Sequence, residues 1–71
     1  MAIGESSARQ IAFRYVRSLG YYEPRGIDII SINQSGGLWN IILTVQAFLI
    51  SKRAQVVIDA NTGEVRIFKI L

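Results

Sequence analysis

Hydrophobic and polar residues follow a helical period at the start of the chain and a different period afterwards. Ser7 and Gln10 fit a capping box at a helix start, in which each side chain bonds to a free backbone amide. Gly20 fits a helix stop, because glycine readily adopts the left-handed conformation that closes helices. Between these signals, over residues 7–19, spacings of three and four predict an amphipathic helix. Its apolar face consists of Ala8, Ile11, Ala12, Tyr15, Val16 and Leu19.

Strand character begins at Ile27, after a predicted loop over residues 21–26. The strand that opens there, IDIISIN, is rich in β-branched side chains. Its apolar positions change phase between Ile29 and Ile30, which predicts either a β-bulge or burial on both faces. The sequence QSGG at 34–37 predicts a hairpin turn into the next strand.

The uncharged stretch LWNIILTVQAFLI, residues 38–50, predicts a strand with two different faces. One face has no polar member and should receive the helix; it consists of Trp39, Ile41, Leu43, Val45, Ala47 and Leu49. The other face mixes apolar and uncharged polar groups; it consists of Asn40, Ile42, Thr44, Gln46, Phe48 and Ile50.

Two further strands complete the predicted fold. Residues 51–53, SKR, predict a turn, and AQVVID continues as a strand. DANTG at 59–63 predicts an Asx-type turn with a glycine suited to positive φ. It leads into a last strand, on which Val65 and Ile67 are expected to point towards the helix. The chain is therefore predicted to be one α+β domain over residues 1–71, with an N-terminal helix on a four-stranded antiparallel meander, α-β-β-β-β.

The sheet face turned away from the helix has no predicted layer to cover it. An apolar fraction of 51% is high for 71 residues, and chains of this size bury only about 60% of their unfolded surface. The chain has no cysteine and no histidine, so disulfides and the commonest zinc ligands are excluded as supplements to a small core. We expect self-association, with a homodimer formed either face to face or by edge pairing. The expected interface residues are Ile42, Thr44, Phe48, Val57, Phe68 and Ile70.

Two alternatives to this interpretation follow from the same residues. A strongly twisted small sheet can shield its own outer face, in which case the remaining apolar groups are scattered surface residues. A different protein, rather than a second copy, can also cover the face.

A net charge of +3 favours anionic partners without identifying one. Arg9, Arg14 and Arg17, with Phe13 among them, are expected on the helix side opposite the apolar face, where they could contact phosphates. The alternative interpretation is a solvated helix face whose arginines favour helix formation and solubility. Nucleic-acid binding is therefore the second functional hypothesis.

Catalysis is not expected, and neither is a cofactor or a metal. The carboxylates at either end of the 59–63 turn, Asp59 and Glu64, are expected to cap the amides of that turn. The uncharged stretch at 38–50 is shorter than the roughly 20 apolar residues of a membrane span. The start MAIGESSARQ has no basic segment followed by an apolar run, so a cytoplasmic location is expected.

Part of the chain resembles a known family. The helix pattern Ala8, Ile11 and Ala12, then Trp39 on a strand, then VVIDANTGEV over residues 56–65 resembles the PepSY domain. This resemblance implies a small helix-on-sheet fold related to cystatin-like folds and a non-catalytic binding module. The GLW strand and the DANTGEV hairpin are more weakly similar to the small gas-vesicle accessory proteins, without their longer loop between those strands. Both resemblances imply protein binding.

Overall fold

The computed structural model describes residues 2–19, 26–47 and 50–71, apart from the side chains of Ala47 and Ile50. Helix α1 is followed by four antiparallel strands in one open sheet, in the order β1-β2-β3-β4. The predicted α+β arrangement, one N-terminal helix on a four-stranded meander, is confirmed. The elements are α1 (Glu5–Ser18), β1 (Ile27–Ser35), β2 (Leu38–Ala47), β3 (Ile50–Asp59) and β4 (Val65–Ile70).

Helix α1 begins two residues earlier than the sequence predicted, and the capping box is wrong. Gly4 is the N-cap residue and contributes no side-chain cap; its carbonyl accepts the amide of Ala8 at 3.0 Å. Glu5 occupies the first turn, where the positive end of the helix dipole favours a carboxylate. Ser7 therefore lies inside the first turn. The predicted stop at Gly20 and the loop over residues 21–25 lie outside the described residues.

The core lies between α1 and one face of the sheet, here called the covered face. Ala8, Ala12 and Val16 are fully buried, and the two alanines allow the helix to approach the sheet closely. Trp39, predicted to be in the core, is 9% exposed, and its indole N–H donates to the carbonyl oxygen of Ile3 at 3.2 Å. The sheet contributes Trp39, Ile41, Leu43, Val45, Ala54, Val56 and Ile58.

Strand β1 contains the bulge that the phase change predicted. Ile29 pairs with Leu43 and Ser31 with Ile42, so Ile30 is the extra residue on β1. The side chain of Ile30 is 50% exposed, which excludes burial on both faces. The bulge returns Ile32 to the covered face, where it packs against the core.

The predicted turn at residues 51–53 is wrong, because these residues are part of β3. Strand β2 ends at Ala47 and β3 begins at Ile50. Ser51, Lys52 and Arg53 pair in register with residues 44–46 of β2. Their polar side chains suggested a turn, but pairing with a long neighbouring strand overrides a weak local preference.

A second bulge reverses the predicted faces of β4. Ile58 pairs with Val65, whereas Val57 pairs with Ile67, so the register shifts between them. After this shift Phe68 pairs with the buried Val56 and lies on the covered face. Ile70 follows it in phase, opposite Ala54. The predicted outward position of Phe68 and Ile70 is therefore wrong, as is the inward position of Ile67; only Val65 lies where predicted.

Candidate functional site

The sheet face opposite α1, here called the open face, carries three apolar groups on adjacent strands. Val57 on β3 pairs with Ile67 on β4, and Ile42 on β2 lies two residue pairs further along the ladder of β2 and β3. The predicted interface residues Ile42, Thr44 and Val57 all lie on this face because β2 and β3 keep regular alternation. Within residues 2–19, 26–47 and 50–71, no second helix lies against them.

Accessibility differs among these apolar groups. Val57 is only 7% exposed, because its neighbours on the same face cover it. Ile42 and Thr44 are half-buried, whereas Ile67 is 50% exposed. Leu38, opposite Asp59 in the register, is 38% exposed on the same face. A partner would therefore contact mainly Ile67, Leu38 and part of Ile42.

Polar side chains separate the apolar groups of the open face. The side-chain amide of Gln55 donates from Nε2 to Oδ1 of Asn40 at 2.9 Å, across β2 and β3. Thr44 pairs in register with Asp28 on β1 and with Arg53 on β3, and Gln55 pairs with Lys69 on β4. The mixture of apolar patches, amides and a few charges is typical of interfaces between proteins that also exist apart.

Two of the predicted interface residues do not belong to the open face, and a third cannot be placed. The ring centroids of Phe68 and of Tyr15 on α1 lie 5.6 Å apart, with an angle of 55° between the ring planes. Ile70 points to the same covered side and is 41% exposed. Phe48 lies outside the described residues. Ile67, which sequence reasoning placed in the core, takes their position on the open face.

The three helix arginines spread over about 140° of the helix surface, with Arg17 between Arg9 and Arg14. Arg9 donates from Nε and Nη2 to Oε2 of Glu5, at 3.1 and 2.8 Å, so part of its charge is neutralised. Arg9 and Arg14 are five residues apart, and each residue turns the helix by about 100°, so the two side chains lie about 140° apart around the helix axis. Arg14 lines a shallow open depression between α1 and β4, whereas Arg17 is exposed elsewhere on the helix. The walls of the depression are Ile11, Arg14, Tyr15, Ser18 and Val65.

The 59–63 turn is built around Asp59, as predicted. Its Oδ1 accepts the amides of Asn61 at 2.8 Å and Thr62 at 3.2 Å, while Oδ2 accepts the guanidinium of Arg66 at 2.8 Å. The hydrogen bond from Arg66, and after it the two amides, lower the pKa of Asp59 below its usual value. Gly63 completes the turn with φ at 80°, where a side chain would be strained.

Glu64 does not act as the predicted cap. Its own amide donates to the hydroxyl oxygen of Thr62 at 3.2 Å, and its carboxylate is 3.9 Å from Arg66. Among the described residues, no three of the types His, Cys, Asp and Glu come together as a metal site. Nor is any described helix both long and apolar enough to span a membrane.

Comparison of the chain with models of protein families, with curated proteins and with solved structures finds no match. The resemblances to the PepSY domain and to gas-vesicle accessory proteins therefore stay predictions.

Proposed function

We propose that this chain is a small non-catalytic protein-interaction module that acts as a homodimer through the open face of its sheet. One observation carries the proposal: α1 covers one face, while the other exposes Ile67 and Leu38 and half-exposes Ile42. Large exposed apolar groups that share a sheet face favour burial against a second surface. In a two-fold symmetric dimer formed by two open faces, these apolar groups of both protomers would be buried together.

The sheet edges support face pairing over edge pairing between copies. The extra residue Ile30 interrupts the regular ladder of β1, and a bulge also disturbs the start of β4. In addition, β4 carries Lys69, and pairing of two β4 strands would bring equal charges together. A face-to-face dimer requires no backbone pairing at either of these edges.

The size of the open face predicts a weak dimer. Four strands about 4.8 Å apart, with about nine residues each at roughly 3.3 Å, offer a footprint of roughly 570 Å² per protomer. Two such footprints lie below the roughly 1,200 Å² at which stable specific interfaces begin. We therefore expect association that depends on concentration and strengthens with added salt, because salt screens repulsion between two chains of net charge +3.

Charge substitutions on β4 test the proposal. Ile67→Glu places a carboxylate on the open face, where dimer formation would bury it, and should abolish the dimer. Ile70→Glu is the matched control: the same change on the same strand, at a similarly exposed residue, on the opposite face. Sedimentation equilibrium of both variants should show a monomer for the first and the wild-type association for the second. The proposal would be overturned if the Ile67→Glu variant formed homodimers as strongly as the Ile70→Glu variant.

Nucleic-acid binding through Arg9, Arg14 and Arg17 is the alternative, and the geometry gives it less support. Arg9 is paired with Glu5, and Arg14 and Arg9 lie on different flanks of α1. Phosphate binding would weaken steeply with added salt, since bound counterions are released on association. The two hypotheses thus predict opposite salt dependence, which separates them in a single series of titrations.

A further inference from the structure

We propose that the groove between α1 and β4 binds an extended acidic segment of another protein, which adds to the sheet as a strand beside β4. This surface is separate from the open face and goes beyond the proposed homodimer. It joins an edge strand to a partly apolar groove and to cationic side chains, the combination used when a peptide extends a sheet. The groove is lined by Ile11, Arg14, Tyr15, Ser18 and Val65, and Phe68 and Ile70 lie on the same side of β4.

The backbone of β4 offers the hydrogen-bonding groups that such a strand needs. Strand β4 has β3 as its neighbour and lies at the end of the sheet order. The amide of Leu71 donates to the carbonyl of Arg53 at 2.8 Å, so the backbone groups of Leu71 point towards β3. Backbone direction alternates along an antiparallel strand, so the groups of Phe68 and Ile70 point away from β3, to an edge at which no strand of the described residues pairs.

The groove beside this edge accepts apolar side chains. Residues directly opposite one another on neighbouring strands point to the same face. Residues paired with Phe68 and Ile70 would therefore point to the covered side, the side of β4 on which the depression lies. Ile70 is 41% exposed there, so an added strand would cover an apolar side chain that β3 and α1 leave open.

The positive charges beside the groove favour binding of an acidic strand and disfavour binding of a second copy of this chain. Arg14 lines the groove on the helix side, and Lys69 projects from β4 on the open-face side. Arg66 is directed instead to Asp59. A carboxylate on the open-face side of an added strand would meet Lys69, and one among its groove-facing residues would meet Arg14. Antiparallel pairing of two β4 strands would instead place two Lys69 side chains near each other.

The test uses a fluorescein-labelled nine-residue peptide in which valine and glutamate alternate, except that one inner valine is replaced by glutamate so that carboxylates face both Lys69 and Arg14. The same peptide with lysine in place of every glutamate is its control. Fluorescence anisotropy should show binding of the first peptide and none of the second. Arg14→Glu and Lys69→Glu should each weaken binding by about tenfold, or ~1.4 kcal/mol. Arg17→Glu is the matched control, because it changes the net charge equally on the same helix; it should change the Kd by less than about twofold.

Amide chemical shifts locate the site. On saturation with the acidic peptide, the amide signals of Phe68 and Ile70 should move, and those of Asn40 and Ile42 on the open face should not. The inference is overturned by equal binding of the lysine peptide, by equal weakening from Arg17→Glu, by shifts confined to the open face, or by no binding at millimolar peptide. Peptide binding by a chain that stays monomeric would leave this inference intact and overturn only the homodimer.

Discussion

Neighbouring isoleucines on β2 allow the covered and open faces to be compared by one chemical change. Ile41 is fully buried under α1, whereas Ile42 points to the open face and is half-buried. Substitution by valine removes one methylene from either side chain. We predict that Ile41→Val destabilises the chain several times more than Ile42→Val does.

The magnitude follows from burial. Removing a fully buried methylene loses about 0.8 kcal/mol of transfer free energy, and the small void left behind adds to it. Ile41→Val should therefore lower the free energy of unfolding by about 1 kcal/mol. Ile42 still contacts water, so its substitution should lower that free energy by about 0.3 kcal/mol in the monomer.

Urea unfolding at a series of protein concentrations measures both effects. At low concentration the two variants should differ as stated, with unchanged slopes against urea. At high concentration the loss from Ile42→Val should grow, because a dimer that buries Ile42 is stabilised by mass action. Equal losses from the two substitutions at low concentration would refute the assignment of covered and open faces.

Three other substitutions test local features of the fold. Gly26→Ala should lower stability by about 1–3 kcal/mol, because the added Cβ would overlap Gln46. Gly4→Ala, whose Cβ meets nothing within 4 Å, is the control in the same urea titration and should lose only the smaller preference of an N-cap for glycine over alanine. Trp39→Phe removes the donor to the Ile3 carbonyl and should lower stability by about 1–2 kcal/mol, with faster hydrogen exchange at the Ile3 amide. The lowered pKa of Asp59 stabilises the fold above the ordinary value of 3.8, and this stabilisation is lost as pH falls through the folded pKa. Asp59→Asn should flatten that pH dependence between pH 5 and 2, and an unchanged slope would contradict the contribution of Asp59.

The sequence predicted the regular parts of the fold because their patterns are unambiguous. Alternation along β2 identified the buried residues from Trp39 to Val45, and the phase change at Ile29 identified the bulge in β1. The carboxylate of Asp59 and the turn glycines were predictable because few other residues suit those backbone positions.

The candidate surface was predicted only in part. Ile67 and Phe68 are consecutive and both apolar, so hydrophobicity alone does not show which of them faces the helix. The β4 bulge decides this, and its position depends on pairing with β3. A usable signal was Tyr15 on the apolar face of α1, since an aromatic ring there favours an aromatic partner such as Phe68. The salt bridge between Arg9 and Glu5 was visible as a spacing of four residues.

The solution mass of the unmodified chain, measured by light scattering over a wide concentration range, tests the homodimer most directly. The account predicts a mass that rises from 7.9 kDa towards twice that value as concentration increases, with the rise shifted to lower concentration by added salt. A mass that stays at 7.9 kDa up to millimolar concentration would contradict the homodimer and leave the open face to a different partner.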